Sequence, residues 1–184
     1  MNQTKLILSA LCLSSALWAY SSEPLPVQRF EGGLSVGMNI PPYHYNGESP
    51  NGAMSFEING RYNIPSTAWD LGISAGLSII SWDPEDEYQY TCCNSDSFLY
   101  QAITSHYNFR QGKTFNPYAG LGVGIAEIDF AATNSVTGFL MPEVGLEIGR
   151  HFRVNLSGMI CRKGLNTMAL SIGFVIGGRP KKSK

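Results

Sequence analysis

The sequence predicts an all-β fold in which eight antiparallel strands, joined up and down in chain order, close into one barrel. Three observations predict it. Apolar and polar residues alternate with period two through eight successive runs, which is the period of a strand and not of a helix. Gly, Tyr and Phe are plentiful, at 20, 9 and 9 of 184 residues, while charged residues make up only 15%, a balance that suits strands and turns. The connectors between the runs alternate between long and short, the odd ones being long.

The chain opens with what reads as an export signal over residues 1–21. Lys5 gives a positive start, residues 6–17 are nearly unbroken apolar, and Ala19-Tyr20-Ser21 sets small residues where a signal peptidase reads. The apolar run is too short for a membrane-spanning helix, which needs about 20 residues. Residues 22–28 form a short lead-in that Pro24 and Pro26 keep out of regular structure. One domain is expected over residues 29–177, because about 160 residues remain after the leader. A basic tail over 178–184 carries Arg179, Lys181, Lys182 and Lys184.

The first strand places Phe30, Leu34, Val36, Met38 and Ile40 on one face and Glu31, Gly33, Ser35, Gly37 and Asn39 on the other. In the second, Met54, Phe56, Ile58, Tyr62 and Ile64 alternate with Ser55, Glu57, Asn59, Arg61 and Asn63. The third sets Trp69, Leu71, Ile73, Ala75, Leu77 and Ile79 against Asp70, Gly72, Ser74, Gly76 and Ser78. The fourth, over 98–109, is less regular, with Leu99, Ile103, Tyr107 and Phe109 as its apolar face. In the fifth, Ala119, Leu121, Val123 and Ile125 interleave with Gly120, Gly122, Gly124 and Ala126, so one face has almost no side-chain volume and something bulky must lie opposite. Leu140, Val144, Leu146 and Ile148 alternate with Met141, Glu143, Gly145 and Glu147 in the sixth. The seventh sets Phe152, Val154, Leu156 and Ile160 against Arg153, Asn155 and Ser157, and the eighth sets Met168, Leu170, Ile172, Phe174 and Ile176 against Thr167, Ala169, Ser171 and Gly173.

Connectors 41–52 and 81–97 are long and polar, whereas 65–67 and 149–151 are very short. Outer-membrane barrels have short periplasmic turns and longer external loops, and an even strand count returns both chain ends to the periplasm. Several strands carry five or six apolar side chains over about nine to eleven residues, enough to cross a bilayer at a tilt. Aromatic residues at strand ends (Phe30, Tyr62, Trp69, Tyr107, Phe109 and Phe152) suit a membrane interface. The expectation is therefore a transmembrane β-barrel in the outer membrane. A soluble sandwich or ligand-binding barrel, with the apolar faces turned inward, stays open, since period two alone does not say which face is wet.

Residues 29–176 resemble the small outer-membrane β-barrel family related to OmpX and the membrane domain of OmpA. The segment Pro117-Tyr118-Ala119-Gly120-Leu121-Gly122-Val123-Gly124 is similar to a mid-barrel strand of that family.

A net charge of -1 without a long charged block offers no footprint for nucleic acid. In the barrel orientation Glu57, Arg61, Asp70, Glu143, Glu147 and Arg153 point into the lumen and form a structural charge network. An eight-stranded barrel is filled by its own side chains, so no open channel is expected. Ser105-His106 does not match the His-x-Ser order of lipid A deacylases, and no Gly-x-Ser-x-Gly, HExxH or phosphate loop is present. No catalytic residue, cofactor or metal site is expected. Asp83, Glu85, Asp86 and Glu87 make one external loop acidic, and a disulfide can join Cys161 to Cys92 or Cys93. The expected partners are outer-membrane lipid and lipopolysaccharide, with a surface ligand or host protein at the loops. The function expected is non-enzymatic: envelope integrity, or presentation of loops at the surface. A lipid-modifying barrel enzyme is the other reading.

Overall fold

The computed structural model describes residues 27–40, 52–81, 95–130, 133–149, 151–161 and 166–177. The strands are β1 (Phe30–Ile40), β2 (Gly52–Asn63), β3 (Trp69–Ser81), β4 (Ser95–Asn108), β5 (Phe115–Phe130), β6 (Thr133–Ile148), β7 (Phe152–Cys161) and β8 (Thr167–Gly177). Each pairs antiparallel with its neighbours in sequence, and β8 closes on β1, so the sheet has no free side. The eight-stranded up-and-down barrel expected from the alternation is the fold.

Closure fixes the strand tilt. Following the register round from Phe30 through Tyr62, Leu71, Ser105, Leu121 and Pro142, across the β6–β7 gap to Gly158 in the register that holds on both sides of it, and on through Met168 arrives at Ile40, ten residues along β1 from the start. A stagger of this size in eight strands tilts them by about 40–45° to the barrel axis. The β6–β7 ladder skips from Leu140↔Ile160 to Glu143↔Ser157. Pro142 lies in that gap and has no N–H to give a neighbour.

One end of the barrel has tight turns. Between β2 and β3, Pro65 and Ser66 occupy the centre of a turn in which the Thr67 amide donates to the Ile64 carbonyl at 3.2 Å. Ser66 takes φ 60°, the left-handed position that such a turn imposes and glycine would occupy more easily. The other end is uneven. β7 ends at Cys161, opposite Phe139, but β6 continues outward to Thr133. This part of the connector reading is corrected: the fifth connector is odd, yet only residues 131–132 separate β5 from β6. The pair instead grows to 16 residues per strand.

The faces divide by chemistry. Leu34, Ile73, Ile125 and Ile172 point outward and are 64%, 67%, 59% and 59% exposed. Arg61, Asp70, His106, Glu143 and Arg153 point inward and are buried. A barrel dissolved in water would reverse this, because a continuous apolar belt of this extent is not stable against water. Aromatic rings gather at the short-turn rim, where Phe30 meets Tyr62 and Trp69 meets Tyr107, each pair with centroids 5.2 Å apart, and Phe152 meets Phe174. Phe109, just beyond the end of β4, packs its ring against that of Tyr107 with centroids 5.1 Å apart and is only 3% exposed, its amide donating to the Pro117 carbonyl.

Candidate functional site: the charged lumen

The interior has two tiers. The half toward the long loops is apolar along one wall, where Phe98, Tyr100, Phe139, Met141, Met159 and Cys161 pack together. The half toward the short turns is charged. The glycines make room for both, as the bare face of β5 required. A Cβ on Gly120 would lie 2.1 Å from the His106 ring, and on Gly124 it would lie 2.7 Å from Phe139; Met141 covers Gly122. Gly145 on β6 does the same for Tyr118, whose ring would meet a Cβ there at 2.3 Å.

The charged tier is built around Tyr118. The Arg61 guanidinium lies 4.9 Å from its ring centroid and that of Arg153 lies 5.5 Å away, an arrangement in which the ring quadrupole favours both cations. Arg153 donates to Glu31 at 3.1 Å and to Glu147. Arg61 stands 3.8 Å from Asp70. His106 joins β3 to β6: its Nδ1 is 2.7 Å from Asp70 and its Nε2 is 3.3 Å from Glu143. Amides complete the layer. Asn108 donates to Asp70 at 2.8 Å, Asn116 to Glu147 at 2.7 Å and to Asn108 at 2.9 Å, and Asn155 to Glu143 at 3.2 Å.

Of the six lumen residues read from the sequence, Arg61, Asp70, Glu143, Glu147 and Arg153 meet in this layer. Glu57 does not. It lies apart from Arg61, accepting from Tyr100 at 2.5 Å and from Asn59 at 2.9 Å. Glu31, Asn108, Asn116, Tyr118 and Asn155 were not read from the sequence as members of the charge network, and His106 was weighed only against the His-x-Ser order. The signal for Tyr118 and His106 was present in the small residues opposite them; the uncharged amides had none. Ser105 and His106 do not converge, since the serine hydroxyl donates to the Asp70 carbonyl at 3.1 Å while the imidazole stands between two carboxylates.

The layer fills the cross-section. The spaces left beside Glu31, Asn63 and Gln111, and beside Glu57, Arg61 and Asn155, hold no more than a water or two. Among the described residues no group of three or more His, Cys, Asp or Glu is arranged to hold a metal ion. Cys161 is buried and bonded to no described cysteine, while Cys92, Cys93 and the acidic loop of Asp83, Glu85, Asp86 and Glu87 lie outside the described residues, as do the export segment and the basic tail.

A closed eight-stranded barrel with a filled polar lumen and an apolar outer face is the architecture of the small outer-membrane barrels. A solved structure shares the fold, and others are similar to a lesser degree. Neisserial surface protein A superposes with a TM-score of 0.54 at 11% identity, covering 83% of this chain and 99% of that one. Ail of Yersinia pestis, crystallised with the heparin analogue sucrose octasulfate, gives a TM-score of 0.49 at 17% identity, covering 80% and 99%. The N-terminal β-barrel domain of OprF from Pseudomonas aeruginosa gives 0.49 at 15% identity, covering 82% and 100%. No protein-family model matches the chain, and no curated protein matches it in sequence.

Proposed function

We propose that this protein is a non-enzymatic barrel of the bacterial outer membrane that presents a projecting sheet at the cell surface. The observation that carries the reading is the uneven upper end. β6 residues 133–138 have no strand partner on the β7 side among the described residues. Six strand residues at this tilt stand about 14 Å above the end of β7. Backbone groups on an edge without a described partner strand can accept an extended segment of another protein. The short-turn end then faces the periplasm and the long-loop end faces outward. The filled lumen supports a structural and not a conducting interior, and the separation of Ser105 from His106 supports a barrel without a serine nucleophile.

Two experiments test this. Replacing residues 127–136 with a two-residue turn should leave a folded, correctly located barrel while removing adhesion of expressing cells to extracellular surfaces; adhesion unchanged by the truncation would overturn the reading. Mass spectrometry of envelope lipids from cells with and without the protein should show the same species. A lost or added acyl chain would make the protein a lipid-modifying enzyme.

A further inference from the structure

The apolar belt has a polar exception. Among its described outward-facing residues, Ser105 and Gln101 carry hydrogen-bonding side chains between the aromatic rim and the upper margin. The Ser105 hydroxyl is satisfied by the Asp70 carbonyl. Gln101 is exposed, with Leu99 and Ile103 on either side of it along β4, and no described residue hydrogen-bonds to it. It sits seven residues above Asn108 at the short-turn end of β4. At the strand tilt this is roughly 17 Å up a belt about 25 Å tall, below the upper headgroups and one outward position below the level of Glu127, which pairs with Leu99. A primary amide there faces acyl chains that can neither donate nor accept, which is costly.

We propose that the outer face of β3, β4 and β5 around Gln101 is the contact between two copies of this chain within the membrane. The inference rests on the membrane-spanning reading above. A carboxamide has a donor and an acceptor, so two of them related by a twofold axis satisfy each other with a reciprocal pair of hydrogen bonds and bury no charge. A charged partner side chain would have to enter hydrocarbon to do the same. Packing at this point allows close approach. Ala75, directly opposite Gln101 in the β3–β4 register, is the smallest residue of the outward row Leu71, Ile73, Ala75, Leu77 and Ile79. Ile73, Ile103, Val123 and Ile125 surround the amide with exposed apolar surface for the second barrel to cover. Glu127, also outward on β5, stands above this patch toward the upper rim.

The test is sedimentation equilibrium of the full chain folded in density-matched detergent micelles. Wild type is expected to dimerise. Gln101→Leu, which suits a lipid-facing site and should fold, is expected to weaken the dimer roughly tenfold to a hundredfold. Ala75→Phe, which leaves the amide intact and blocks approach, should weaken it likewise. A wild type that stays monomeric at all concentrations, or a Gln101→Leu variant that dimerises as strongly, overturns the proposal. A chain that never shows a folded, heat-modifiable gel band would instead count against the membrane reading itself.

Discussion

Replacing Arg153 with Met removes a guanidinium that serves three neighbours at once. It donates to Glu31 at 3.1 Å and to Glu147, and lies over the Tyr118 ring. The side chains involved are hardly solvated: 5% exposure for Arg153, 9% for Glu31 and 15% for Glu147. Methionine keeps much of the length and leaves two carboxylates in a lumen that now lacks their common cation. Breaking a buried pair in this way costs about 3–5 kcal/mol, because the remaining charges are out of water and have lost the cation they touch directly. Urea unfolding of the full chain in lipid vesicles, followed by the fluorescence of Trp69 at the rim, would read the loss. The double variant Arg153→Met with Glu147→Gln should recover part of it, since one of the two stranded charges is gone. A single variant within about 1 kcal/mol of wild type would refute the reasoning and mean that water solvates the cluster.

Other perturbations separate the remaining forces. Gly145→Ala places a methyl group against the Tyr118 ring and should cost about 1–3 kcal/mol in the same unfolding assay, whereas Gly138→Ala, on the outer face, should cost much less. Tyr100→Phe takes away the 2.5 Å hydrogen bond to Glu57 and should destabilise by about 1–3 kcal/mol. Ile73→Lys puts a charge on the lipid-facing side and should cost about 2–4 kcal/mol of stability in vesicles if the site is near the midplane. Ser66→Gly should be neutral or stabilising, because it relieves a left-handed backbone position in the β2–β3 turn.

The strands were legible because each carries its own period-two record, and the bare face of β5 even announced the bulk of His106, Met141 and Phe139 above it. Partner choice in the lumen was not. Glu57 and Arg61 share a strand face and were read into one network, but Arg61 is set beside Asp70 by the β2–β3 register and the tilt of the closed barrel, which are properties of the whole sheet. Glu31 is a lone acid at the start of β1 and gains meaning only when β8 brings β7 close to it. The outward reach of β5 and β6 was hidden for a different reason. Beyond Ile125 the outward row takes up a charge at Glu127, so the alternation of apolar and polar residues stops there.

The central claim, that the apolar face meets lipid and the charged face is enclosed, is tested most directly by fractionating native envelopes and running the detergent-extracted protein on a gel before and after boiling. Recovery in the outer membrane, with a folded band whose mobility changes only on boiling, is the predicted result. Recovery as a soluble periplasmic protein would contradict it and would require the two faces of every strand to be exchanged.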